Sequence, residues 1–165
     1  MNIGPVRELL AAASNPSAPA KPSSKPHAVR IGGWGLSRLF IVFEDAGDPN
    51  PVADIYADNP DVPGGRDAVM ALERVIKDAS PHGSGGYTLS VPPHLLETLA
   101  YIALDEANGA DDEVERHTGR GRYKDPETRR FAVRERDDLG RLHSRLNKLI
   151  RKTSAARVAR HCRLD

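Results

Sequence analysis

The chain has 165 residues, 39% of them hydrophobic and 28% charged, and its 24 basic and 23 acidic side chains leave a formal net charge of +1. The length fits one domain with appendages, and the balance excludes both a wholly disordered chain and a uniformly basic, histone-like protein. The longest strongly apolar run, Leu39-Phe40-Ile41-Val42-Phe43, falls far short of the ~20 residues that cross a bilayer. No membrane partner is expected, and with no leader pattern at the start the expected location is cytoplasmic. A single cysteine, Cys162, rules out an internal disulfide framework and a multi-thiolate metal site.

In chain order, the spacing of Ile3, Val6, Leu9 and Leu10 predicts a short amphipathic helix over 1–13, with Pro5 in its first turn. Barely three turns do not hold alone in water. This helix either covers part of the chain's own core or inserts those four side chains into a partner's groove. Residues 14–28, with prolines spaced among Ser, Ala and Lys, read as a semi-rigid linker.

An α+β core is expected over 29–108. Gly32-Gly33-Trp34-Gly35 reads as a flexible approach to 36–44, whose continuous apolar run predicts a strand buried on both faces. A turn cluster at 45–51 and a second strand over 52–57 complete a β-hairpin with a long loop. Val69, Leu72, Ile76 and Ala79, with Val75 beside them, make 66–79 an amphipathic helix. A Gly-rich loop at 81–86 precedes a strand in which Tyr87, Leu89 and Val91 alternate with Thr88 and Ser90. Pro92-Pro93 then opens a helix over 93–107, with Leu95, Leu96, Leu99, Ile102 and Ala103 inward. The fold class is therefore α+β, a small ββαβα sheet-and-helix core.

Beyond it, the polar residues 109–126 read as an exposed charged loop and 127–165 as a helical basic segment, with Gly140 as a point of interruption. Leu139, Leu142, Leu146 and Leu149 recur at 3-4-3 spacing. Such a seam packs either on the chain's own core or on a second copy, giving a homodimer.

Charge is unevenly placed. Residues 1–104 and 105–138 each carry eight cations against eleven anions, whereas 139–165 carries eight cations against one anion, a net of +7. A basic end of this kind points to an anionic partner. Arg141, Arg145, Lys148 and Lys152 share one helix face, and Arg151 and Arg157 extend the field. Such an array binds the phosphates of DNA or RNA with salt-sensitive, largely sequence-independent affinity. Arg120 and Arg122, set among glycines after His117, are a natural second phosphate contact, although the loop lacks the Walker pattern. The alternatives are an acidic protein surface, pairing with the acidic stretch at 105–115, or a plain solvated face. Aromatic residues are only 5% of the chain, so a stacking platform for single strands is not expected.

No catalytic pattern stands out, and the chain is not expected to be an enzyme. Its six histidines lack H-x-x-x-H or H-E-x-x-H spacing, and the aspartates near 45–54 fail the EF-hand pattern. No catalytic residue, metal or cofactor is therefore assigned. The sequence reads best as a small nucleic-acid-associated accessory or regulatory protein, of a phage- or plasmid-borne type, acting through its basic C-terminal helix. A second reading is a protein-binding adaptor or inhibitor that docks through the N-terminal helix and the leucine seam.

Overall fold

The structure, a computed structural model, describes residues 25–44, 52–118 and 125–161, with side chains through 155. Its elements are β1 (His27–Gly32), α1 (Gly33–Phe43), α2 (Val52–Asp58), α3 (Gly65–Lys77), β2 (Ser80–His82) and β3 (Gly86–Val91). A 3-10 turn (Pro93–Leu95), α4 (Leu96–Arg116) and α5 (Pro126–His161) follow. Ile3, Val6, Leu9, Leu10, Arg120, Arg122 and the Arg157 side chain lie outside the described residues.

The class is α+β, and the sheet is antiparallel with strand order β1-β3-β2. In β1 and β3, Val29 pairs with Leu89 and Ile31 with Tyr87. Val29, Ile31, Leu89 and Val91 are buried while Ala28, Arg30 and Ser90 are exposed, so one face meets the helices and the other meets water. Strand β1 starts inside the expected linker: residues 27 and 28 already pair with β3.

The expected β-hairpin is not formed; both of its segments are helices. Along α1 the buried residues are Leu36, Leu39, Val42 and Phe43, while Ile41 between them is 59% exposed. Along α2 they are Ala53, Tyr56 and Ala57, with Ile55 66% exposed. Burial thus recurs at three- and four-residue steps, and packing of α1 against α5 and α3 and of α2 against α3 overrides the β-propensity of the branched side chains.

The long helices α4 and α5 pack on one another, with Asp111 of the first paired to Arg136 of the second at 2.9 Å. Residues 109–116 belong to α4, so the expected charged loop is shorter by two turns. A local signal starts α5: Asp125 Oδ1 accepts the Glu127 N–H at 2.9 Å, and Pro126 takes the first helical position. The Thr128 hydroxyl donates to Asp125 Oδ2 at 2.6 Å, and these bonds hold the Asp125 carboxyl below its usual pKa. The helix runs through Gly140 without a break.

Leu139, Leu142 and Leu146 are fully buried in the chain's own core, and Leu149 packs against it. Each buried leucine contributes ~1.5–3 kcal/mol of transfer free energy. Of the two expectations for the seam, packing on the chain's own core is the one the structure displays.

Candidate functional site

Starting at Phe131, the residues Arg134, Asp138, Arg141, Arg145, Lys148 and Lys152 follow at alternating three- and four-residue steps, so they share one face of α5. All of them except Asp138 are exposed. This row lies beside the buried leucine stripe and passes, in order, the glycine run at the start of α1, the open edge of β1, and solvent.

At the glycine run the helices approach closely. A Cβ on Gly32 would stand 2.0 Å from Asp138 Oδ2, and one on Gly35 would stand 2.8 Å from Asp138 Cβ. The segment read as a flexible approach is instead a crossing point, tightest at Gly35, where an added Cβ would meet the Cβ of Asp138 rather than the movable end of its side chain. Gly35 N–H donates to Asp138 Oδ2 at 3.2 Å, and Arg141 donates to Asp138 Oδ1 at 2.7 Å. The one anion in the row is thus engaged from both sides.

Next to it, Trp34 stacks at a tilt on Phe131, with ring centroids 4.9 Å apart, and the Arg134 guanidinium lies 5.3 Å from the Trp34 ring centre. These rings remain 37% and 40% exposed. Sequence reading missed this group because its members lie about a hundred residues apart; the lone tryptophan set between glycines was the available signal. Arg145, one turn on from Arg141, donates to the backbone carbonyl of Arg30 at 2.7 Å and so closes an open edge of the sheet. Between these elements lies a cleft of about 400 Å³, lined by Arg30, Trp34, His82, Tyr87, Arg141 and Arg145, with Asp138 and the turn at 84–86. A second, more open concavity of about 570 Å³ shares Arg141 and Arg145 and reaches Lys148.

Among the described residues, none of the cations at 141–152 pairs with the acidic stretch at 105–115, the alternative to a phosphate partner. Tyr56 Oη lies 2.7 Å from Asp105 and 2.9 Å from Glu106 and donates to this carboxylate pair. Arg38 Nε meets Glu106 at 2.6 Å, and its Nη1 lies 3.5 Å from Glu113 and 3.6 Å from Glu135. Asp111 is taken by Arg136 at 2.9 Å. Burial opposes the charge on Arg38, but Glu106, with Glu113 and Glu135, outweighs it and raises the guanidinium pKa. Burial likewise pushes the Tyr56 hydroxyl up, reinforced by Asp105 and Glu106. These carboxylates are engaged by Tyr56, Arg38 and Arg136 rather than by Lys148, Arg151 or Lys152.

Among the described residues, Lys148, Arg151 and Lys152 are exposed and have no carboxylate within 4.0 Å. Arg145 is held by a neutral carbonyl, and Arg141 by Asp138.

Comparison with protein-family models, curated proteins and solved structures finds no match to this chain.

Among the described residues no group of three or more His, Cys, Asp and Glu side chains is placed to hold a metal ion, and no helix is long and apolar enough to cross a membrane. What the row offers chemically is a line of positive charge beside a polar, aromatic-lined cleft.

Proposed function

We propose that this protein binds the phosphate backbone of nucleic acid along the cationic row of α5, as an accessory or regulatory factor rather than a catalyst. The observation that carries the reading is the set Lys148, Arg151 and Lys152: exposed, on a continuous helix, and without a carboxylate partner among the described residues. Arg141 and Arg145 continue the row toward the body of the protein. From Arg141 to Lys152 the helix rises ~16 Å, an axial length over which one strand of a duplex carries four or five phosphates at ~3.4 Å of rise each. An ordered helix holds these charges at fixed spacing, which lowers the entropy lost on binding relative to a flexible tail.

The test is an electrophoretic shift of a labelled DNA duplex at about 50 mM salt. The full chain retards the duplex, and reversal of the three charges (Lys148→Glu, Arg151→Glu, Lys152→Glu) abolishes retardation while circular dichroism stays unchanged. A native chain that leaves the duplex unshifted, or a reversed variant that binds as well, contradicts the reading.

A further inference from the structure

We propose that the cleft between Trp34 and the turn at 84–86 takes an unpaired nucleobase together with its phosphate. This deepens the preceding reading and rests on it: the cationic row supplies general affinity, and the cleft adds a site for a base that is not in a duplex.

The cleft measures about 400 Å³, within the ~300–1,000 Å³ of sites that bind small organic ligands. Two aromatic side chains line it, Trp34 and Tyr87, and between them Gly33 lies near enough to Tyr87 that an added Cβ would meet the Tyr87 ring at 3.8 Å. Three guanidinium-bearing residues, Arg30, Arg141 and Arg145, line the same space. A planar π-system and a neighbouring anion are what such a lining recognises, and a nucleotide carries both.

The ring of Trp34 is steadied rather than free. Phe131 and Arg134 lie one turn apart on α5 and contact it from that helix, while the ring also lines the cleft. The ring stays 37% exposed, and three arginines line the space beside it. On the far wall, Gly85 adopts φ +78°, and the site of a Gly86 Cβ lies 3.0 Å from the Ile31 carbonyl. Glycines here keep the β2–β3 turn low, so no side chain at 85 or 86 fills the cleft. Stacked bases inside a duplex have both faces covered and cannot enter, which makes the site selective for single strands, strand ends or free nucleotides.

Trp34 is the only tryptophan in the chain, so its fluorescence reports on this cleft alone. The experiment titrates the full chain with an unstructured oligothymidylate, with thymidine monophosphate, and with a DNA duplex. Duplex and strand affinities are measured in parallel by anisotropy of labelled DNA. The oligothymidylate quenches Trp34 saturably and the blunt duplex does not. Trp34→Ala weakens single-strand binding roughly 5- to 150-fold, the equivalent of ~1–3 kcal/mol for one stacked base, while duplex affinity holds. Trp34→Phe recovers part of the loss, which also guards against a folding defect in the alanine variant. Saturable quenching by the monophosphate assigns the site to free nucleotides as well; quenching by the strand alone assigns it to polymer. Unquenched Trp34 at saturating oligothymidylate, or equal loss of strand and duplex binding in Trp34→Ala, overturns the cleft while leaving the cationic row standing. Failure of all three probes to bind overturns the row itself, and the cleft with it.

Discussion

Asp138 of α5 accepts the backbone N–H of Gly35 at 3.2 Å, across 103 residues of sequence. The N-cap of α1 is Gly32, whose missing side chain offers the helix start no acceptor, so a residue from another helix performs the capping. The same carboxylate meets Arg141 at 2.7 Å, which ties the start of α1 to the part of the row that continues through Arg145 and Lys148.

Replacing this cap has a defined cost. Asp138→Ala is expected to destabilise the fold by ~0.5–2 kcal/mol, measured as a lowered midpoint in urea. Asp138→Asn keeps an acceptor for Gly35 and retains most of that stability. Equal midpoints for wild type and Asp138→Ala would show that the contact contributes nothing.

Two glycines that look alike in sequence have opposite expectations. Gly140 lies inside α5, and a Cβ there meets nothing within 4 Å. Gly140→Ala should therefore raise stability by ~1 kcal/mol through helix propensity. At Gly35 the added atom meets Asp138 Cβ at 2.8 Å and Ile31 Cγ1 at 3.4 Å. Gly35→Ala pushes α1 away from α5 and costs ~1–3 kcal/mol as overpacking. Thermal melts of the two variants side by side check both signs.

The carboxylates around Arg38 set a pH dependence. Glu135 has its pKa raised above 4.5 by burial, an effect that Arg38 partly offsets and Glu113 and Glu106 strengthen. An acid whose native pKa lies above its unfolded value favours folding while protonated and loses that contribution as pH rises through the native value. Glu135→Gln removes the late-arriving charge. The variant should melt higher than wild type near neutral pH, and the gain should shrink to nothing as pH falls below about 4.5. A variant less stable than wild type at neutral pH would mean that the 3.6 Å pairing with Arg38 outweighs burial.

The sequence is legible where one physical signal dominates. Helix α3 follows from Val69, Leu72 and Ile76, and β3 from the alternation of Tyr87, Leu89 and Val91 with polar neighbours. The end of α1 misleads because Phe40, Ile41 and Val42 are good strand formers. Only the burial of Leu36, Leu39 and Phe43 on one helical face distinguishes the outcome, and that burial comes from α3 and α5. Of the candidate site, the row Arg141, Arg145, Lys148 and Lys152 is readable from spacing. Its relation to Trp34 and Arg30 is not, because β1 and α1 reach α5 only through the tertiary fold. The fate of Asp105, Glu106, Asp111 and Glu113 is equally hidden: their partners Tyr56, Arg38 and Arg136 lie on three other elements.

Phosphate binding by the end of α5 shows most directly in the salt dependence of DNA affinity. The association constant for a DNA duplex, plotted as its logarithm against the logarithm of salt concentration, should fall linearly for the full chain. Replacing Lys148, Arg151 and Lys152 together with alanine should reduce the magnitude of that slope by roughly 2–3, about 0.9 for each lost phosphate contact. Identical slopes for the two proteins would contradict the assignment of phosphate binding to the free end of α5.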